Sequence, residues 1–417
     1  MKFEQKSLGE VSEFLNNLRK PVTRSQRQSG PYPYYGAAGI QDYVSDYLFD
    51  GKYILVGEDG TVVTDDNHPV VQIADGKFWV NNHAHVIRPV ENEDFDYLYY
   101  ALTNSSIGDL VSGAVQPKLS MTNLKSLNFD WPSSGEFRGA IGRVLRGLDD
   151  KILANQRLSK ILEEISRAIF KSWFVYFEPV KAKMAGEKPV GMDDATAALF
   201  PDSIEHSELG PIPKGWRCLP VGEIFEVGIG RTPPRKEPEW FCDGGNGIDW
   251  VSIRDMGTYG VFADGTNEGL TEEAVRKFRV PIVPKGTVLM SFKLTVGKLC
   301  ITDHELVTNE AIAHFKELSN SSIGSIFTYL WLANQNMANL DSTSSIGTAT
   351  NSAIVKGIKI LVPSESVHAA FVNVVGPIFD EIANLTMQTT RLAEIRDSLL
   401  PRLISGELQI PEEMLVS

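Results

Sequence analysis

Apolar residues along this chain switch between two periods, and they do so twice. After Pro132 they fall at Phe137, Ile141, Val144, Leu148 and Ile152, then Leu158, Leu162, Ile165, Ile169 and Trp173. After Pro363 they fall at Val367, Phe371, Val374, Ile378, Ile382, Leu385, Leu392, Ile395, Leu399 and Leu403. Steps of three and four predict two long amphipathic helices over about 137–175 and 366–405, each on the order of 50–60 Å long. Serines ahead of an acidic residue, Ser133-Ser134 before Glu136 and Ser364-Glu365-Ser366, suit helix N-caps. Pro377 should kink the second helix or mark its true start, and Pro401 should disturb its last turns.

The two helices are copies. At one constant offset of 230 positions, Ile141, Val144, Leu148, Ile152, Leu162, Ile165, Ile169 and Trp173 each meet an apolar residue of the second set. The regions before them repeat as well: Leu8-Gly9-Glu10 and Val221-Gly222-Glu223, then Tyr53–Gly57 and Thr287–Ser291, then Asn82-His83-Ala84-His85 and Asn309-Glu310-Ala311-Ile312. Lys125-Ser126-Leu127-Asn128-Phe129-Asp130-Trp131-Pro132 and Lys356-Gly357-Ile358-Lys359-Ile360-Leu361-Val362-Pro363 close each half. Dense turn signals between short β-branched and aromatic runs (Asp59-Gly60, Asp75-Gly76, Gly244-Gly245, Asp264-Gly265) predict β-rich α/β domains. The expected architecture is α+β: two such domains joined by two long antiparallel helices that form a coiled coil, with a pseudo-twofold internal repeat. The expected segments are 1–134 (domain 1), 135–177 (helix 1), 178–215 (linker), 216–364 (domain 2), 365–408 (helix 2) and 409–417 (tail). Proline, glycine and mixed charge mark the linker as surface chain.

The 417 residues carry 40 Lys and Arg against 53 Asp and Glu, a net charge of −13, which argues against uniform coating by nucleic acid or an anionic membrane. Three cysteines are too few for a disulfide framework or a closed zinc site. The start, MKFEQKSLGEVSEF, lacks the apolar core of a signal peptide, and no apolar run approaches the ~18 residues of a membrane span. A cytoplasmic protein is expected. His83 and His85 could share a strand face, but no third metal ligand accompanies them. Catalytic motifs are missing: no phosphate loop, no GxGxxG after a strand, no HExxH, CxxC or GxSxG, and no Asn/Asp-Pro-Pro-aromatic motif of base-amino methyltransferases.

Cations nevertheless cluster. From Phe14 to Gln41 there is no acid, while Arg19, Lys20, Arg24 and Arg27 lie beside Tyr32, Tyr34 and Tyr35. From Ala274 to Thr302 there is again none, with Arg276, Lys277, Arg279, Lys285, Lys293 and Lys298. Arg231-Thr232-Pro233-Pro234-Arg235-Lys236 forms a third basic loop, and Arg254 follows it. Such groups suit phosphates, and arginine suits guanine edges. The DNA-binding candidates are therefore Arg19, Lys20, Arg24, Arg27, Tyr32, Tyr34, Tyr35, Arg231, Thr232, Arg235, Lys236, Arg254, Lys293 and Lys298. The helix-pair candidates are Ile141, Leu148, Ile152, Leu162, Ile169, Phe371, Ile378, Ile382, Leu392 and Leu399. Two similar reading domains on a rod would address two half-sites at a spacing set by the rod.

The chain resembles the specificity subunit of type I restriction–modification systems. The resemblance lies in Gly230-Arg231-Thr232-Pro233-Pro234-Arg235-Lys236-Glu237-Pro238-Glu239-Trp240-Phe241 with Asp249-Trp250-Val251-Ser252-Ile253-Arg254-Asp255-Met256. It lies also in Lys20-Pro21-Val22-Thr23 with Gly30–Ala37, in Phe177-Glu178-Pro179-Val180, in Leu209–Trp216 and in Leu399–Leu408. It implies two target-recognition domains reading a bipartite double-stranded DNA target. It further implies a coiled coil that measures the gap and docks two methyltransferase subunits, and motor–nuclease subunits for cleavage. The chain itself would be non-catalytic and cofactor-free; S-adenosylmethionine, ATP and magnesium would belong to those partners. Half 1 lacks the Ile-Pro-x-Gly-Trp phrase of half 2, which leaves open how residues 1–8 pack. The competing readings are a protein-bridging adaptor that reads no DNA, and a methyltransferase or nuclease with unrecognised motifs.

Overall fold

The computed structural model describes residues 2–64, 66–113, 116–293, 295–318, 323–335 and 352–411, with 413 and 415. The chain divides into two compact units, residues 1–152 with 391–417, and residues 153–390.

In the first unit Phe3–Ser7 pairs antiparallel with Asn128–Pro132, Phe3 opposite Pro132. One four-stranded sheet runs Ser12–Phe14, Ala84–Pro89, Tyr53–Gly57, Val71–Ala74. A second runs Gly39–Val44, Ser29–Gly36, Lys77–Val80, Phe49–Asp50. Ile54, Leu55 and Val56 are fully buried in succession. A strand covered on both faces needs no polar alternation, which is why this stretch reads as a continuous apolar run.

The second unit repeats this plan, except that the fourth strand of its second sheet adds to the opposite edge. Arg217–Pro220 pairs with Lys359–Val362. One sheet runs Phe225–Ile229, Ile312–Glu317, Val288–Ser291, Leu299–Ile301; the other runs Phe241–Asp243, Glu268–Leu270, Ile248–Val251, Val307–Thr308. Backbone hydrogen bonds fix the correspondence. Leu8 N donates to Leu127 O and Val221 N to Ile358 O, both at 2.8 Å. The glycine after each, Gly9 and Gly222, lies against Lys125 and Lys356, and a Cβ on Gly222 would meet Lys356 at 3.1 Å. Residues 3–7 therefore pack as 217–220 do, without the Ile-Pro-x-Gly-Trp phrase.

One detail of the repeat differs from the sequence expectation. Asn309 corresponds to Asn81, not Asn82. Asn81 N bonds Tyr35 O and its Oδ1 accepts from His83 N; Asn309 N bonds Val251 O and its Oδ1 accepts from Ala311 N. Two adjacent asparagines cannot be told apart by spacing, whereas only one takes the turn.

The two long helices are Gly135–Phe174 and Glu365–Ile404, each of 40 residues. Ser134 Oγ accepts from Phe137 N at 3.3 Å, and Ser364 Oγ from Val367 N at 3.4 Å. Pro377 is not the start of the second helix. It is exposed, as is Asn373, whose carbonyl loses its helical donor to the proline.

Within each unit the helix segments run antiparallel. In the first, Arg396 Nη1 lies 2.6 Å from Asp149 Oδ1, and Ile141 and Leu145 share a core with Leu403 and Ile404. In the second, Asn155 Nδ2 donates to Gln388 Oε1 at 3.4 Å, and Phe170 and Phe174 meet Phe371 at ring separations of 5.9 and 4.9 Å. Of the expected packing residues, Ile141, Phe371 and Ile382 are buried; Leu148, Ile152, Leu162, Ile169, Ile378, Leu392 and Leu399 are half-buried. Leu158, Ile165, Val374 and Ile395 belong to the same 3.5 period, yet are 42–47% exposed. The seam instead uses Asn155 and Ser166, 1% and 0% exposed, beside Leu162 and Phe170.

Phe371 also touches Trp173 and Phe327. Phe371→Ala should therefore destabilise the second unit by about 3–5 kcal/mol, read as a lower urea midpoint.

The 178–215 segment, read from sequence as surface chain, carries structure of its own. Helices Glu178–Met184 and Asp194–Leu199 precede a hairpin of Ile204–Ser207 and Gly210–Pro213. Val180, Phe200 and Ile212 enter the core beside Trp173 and Trp216. Sparse apolar residues anchor this segment, and mean composition hides them.

Candidate nucleic-acid interface

The basic loop of each unit leaves the first strand of the first sheet, Ser12–Phe14 or Phe225–Ile229, and is pinned by aromatic donors. Trp79 Nε1 donates to Lys20 O at 2.6 Å, and Tyr34 Oη to Val22 O at 3.3 Å. Trp250 Nε1 donates to Arg231 O at 3.3 Å. Tyr34 and Trp250 are equivalent: Tyr34-Tyr35 pairs in parallel with Trp79-Val80, and Trp250-Val251 with Val307-Thr308.

The candidate cations divide by exposure. Lys20, Arg24, Arg231, Lys236, Arg254 and Lys298 are exposed, with Arg231 also bonded to Phe278 O at 2.7 Å. Lys293 is half-buried above Phe292. Arg19 turns inward, 2.6 Å from Glu58 and bonded to the carbonyl of Ala84 at 2.7 Å. Arg27 lies 4.1 Å over the Tyr34 ring and 3.2 Å from Asp42. Arg235 is exposed too, yet lies 4.3 and 4.5 Å over Phe241 and Trp250 and meets both oxygens of Glu268 at 2.7 and 2.9 Å. Thr232 bonds Glu310. Tyr32 packs edge-on to Tyr47 and Tyr35 edge-on to Phe78, while Tyr34 is buried. Lys20, Arg27, Tyr34 and Trp79 line a cleft of about 370 Å³. In the second unit Lys293 and Lys298 belong to a separate turn after Val288–Ser291.

The histidines serve structure. His83 pairs with Asp59, while His85 is buried between the Asn16 amide and Leu119 O, so the two diverge. Among the described residues no group of three or more His, Cys, Asp or Glu could hold a metal ion. Burial drives the His85 pKa down, and that of His314 down to about 3.

His304 behaves oppositely. Its Nε2 lies 2.9 Å from Asp249 and its Nδ1 2.5 Å from Asp303, and the two carboxylates raise its pKa to about 10. A folded-state pKa above the ordinary 6.5 means the contribution is complete below about pH 6.5 and fades as pH rises through about 10. The stability margin of the native chain over His304→Gln should thus be widest near about pH 6 and close by about pH 10. Urea midpoints across that range measure it, and a margin that widens with pH would contradict the pairing.

Sequence reasoning missed Asp42, Glu268 and Trp79, and the part Trp250 plays in holding Arg231 and Arg235. Their signal is cross-strand register, which spacing alone does not carry.

A duplicated β-rich domain that offers a pinned basic loop in each copy is the plan of a two-headed recognition protein. The profile of the type I restriction modification DNA specificity domain matches residues 1–164 and 213–382, and the chain belongs to that family. It is similar to the type I restriction enzyme HindI specificity subunit of Haemophilus influenzae, 27% identical over 86% of this chain and 84% of that one. It is also similar to the MjaIX specificity subunit of Methanocaldococcus jannaschii, 24% identical over 98% and 94%. In fold it matches the S subunit of a type I system from M. genitalium, with TM-score 0.62 and 15% identity over 97% and 96% of the two chains. The protein is a DNA-specificity subunit of a type I restriction–modification system, a recognising rather than a catalytic chain. No described helix is long and apolar enough to cross a membrane.

Proposed function

We propose that each unit reads one half of a bipartite double-stranded DNA target through its aromatic-pinned basic loop, and that the long helices set the gap between the halves. The observation that carries this is the duplication: the same order in the first sheet, and a ring strand set between one parallel and one antiparallel neighbour in the second, hold a basic loop in both units. Lys20, Arg24, Arg231, Lys236 and Arg254 are the contact residues, with Lys293 and Lys298 as phosphate contacts. Arg19 acts from within, by bracing its loop on Glu58. The complex works in the cytoplasm.

The catalytic steps belong to partners: two methyltransferase subunits that bind S-adenosylmethionine, and motor–nuclease subunits that use ATP and magnesium. What supports a docking surface is the outer face of the first long helix. Leu158, Ile161 and Ile165 are 42%, 52% and 44% exposed, flanked by exposed Ala154 and Ala168. At 100° per residue this stripe lies about 100° round the helix from the Asn155–Ser166 seam. Heptad-like spacing on an exposed face suits a partner helix.

The test is a mobility shift of the chain with its methyltransferase partner, on a duplex bearing the motif mapped by methylome sequencing of the source cell. Arg231→Ala and Arg24→Ala should each weaken binding about tenfold or more while leaving partner association intact. The affinity should fall steeply with salt, with a slope of about −0.9 per phosphate contacted. Equal binding to random duplexes and a flat salt response would favour the adaptor reading instead.

A further inference from the structure

The two units share more than a basic loop. Each holds one arginine of that loop in the same three-part clamp. Tyr34 lies opposite Asp42 in the antiparallel pair, and continuing the Ile248–Leu270 and Asp249–Gly269 register by one residue sets Trp250 opposite Glu268. Over the first ring lies Arg27, paired with Asp42; over the second lies Arg235, paired with Glu268. Each ring also bonds a carbonyl of the arginine's own loop, Val22 O or Arg231 O. Ring and acid differ between the copies, Tyr with Asp in one and Trp with Glu in the other, yet the geometry is kept.

From this we infer that Asp42 and Glu268 are specificity-determining positioning residues, each acting through its clamped arginine on one half of the DNA target. The inference rests on the DNA-reading function proposed above. The physical reason lies in what a loose arginine does near DNA. It reaches any phosphate, and such contacts carry no sequence information. Pairing with a carboxylate cancels that charge and occupies donors, while the ring below fixes the guanidinium plane. The clamped arginine ties its loop to the neighbouring strand, so the exposed cations of that loop meet the groove from one direction. Without the acid, the arginine is released to phosphates and the loop loosens. Binding to the wrong sequence then tightens as binding to the right one weakens.

The test uses the complex of this chain with its methyltransferase partner. The probes are four duplexes: the methylome-derived motif, the motif altered in either half, and a scrambled sequence. Asp42→Asn and Glu268→Gln should each reduce discrimination at one half by about tenfold, the two variants affecting opposite halves, with affinity for scrambled duplex raised. Arg235→Lys keeps the charge but cannot satisfy two oxygens or lie flat on the ring, so it should lose discrimination at the same half as Glu268→Gln. Glu239→Gln, an exposed acid of the same loop, controls for charge and should leave discrimination unchanged. Loss of affinity for all four duplexes together with a lowered melting temperature would reduce the clamp to a structural brace and overturn the inference. So would a matching effect of Glu239→Gln, or full discrimination in Arg235→Lys. A native complex that does not separate the motif from scrambled DNA would instead overturn the DNA-reading function itself.

Discussion

A seven-residue insertion into each long helix, after Ile152 in the first and before Arg391 in the second, will abolish methylation at the native motif and shift the selected gap by about three base pairs. One heptad adds about 10 Å of helix. Double-stranded DNA rises about 3.4 Å per base pair. The insertions must be matched. Asp149 pairs with Arg396 in one unit and Asn155 with Gln388 in the other, so lengthening one helix alone leaves seven residues without a partner. A heptad preserves which face each helix turns to its partner. Three base pairs also turn the DNA by about 100°, since a full turn takes about 10 to 10.5. Affinity for the new gap should therefore be weaker than the native affinity for the native one. Selection from a duplex library with randomised gaps, followed by sequencing, measures the outcome. An unchanged preferred gap would remove the helices from the measuring role and leave them as structural connectors.

Much of this architecture was legible in the chain because duplication converts weak local signals into strong joint ones. The offset that superposes Ile141 on Phe371 and Trp173 on Leu403 found both helices, and Leu8-Gly9-Glu10 with Val221-Gly222-Glu223 found the entry to both domains. What stayed hidden has one physical origin: spacing reports how often a face recurs, not which neighbour it meets. Leu158 and Ile165 keep the same period as Leu162 and Ile169, but point outward. The seam buries Asn155 and Ser166, which an apolar count passes over. Arg19 and Arg24 are equally basic and five positions apart, yet one is turned in to Glu58 and the other is exposed. The acids that clamp Arg27 and Arg235 lie on the neighbouring strand, 15 and 33 positions along the chain. Only strand register brings them together. The basic loops were thus visible as composition, and the division of labour within them only as structure.

The triple substitution Leu158→Glu, Ile161→Glu, Ile165→Glu will eliminate methyltransferase association while leaving the fold and its unfolding midpoint nearly unchanged. These side chains are 42–52% exposed, so the fold gains little from them. Surface changes of this kind usually alter stability by no more than about 0.5 kcal/mol each. Their burial beneath a partner helix is a different matter. Removing the remaining apolar area of three such side chains contributes about 1 kcal/mol each at about 25 cal/mol per Å². Setting three carboxylates into that contact adds a desolvation cost of several kcal/mol. The sum is a loss of association of more than about a thousandfold, enough to empty the complex at micromolar concentrations. Size-exclusion chromatography with the methyltransferase subunit reads it directly, and adenine methylation in vivo reads its consequence. Leu209→Glu, 41% exposed in the turn of the 204–213 hairpin rather than on the helix, serves as the control and should retain both. If the triple variant still assembles, the outer stripe is not the docking face. The apolar residues left exposed on the second helix, Val374, Met387 and Ile395, would then be the next to replace.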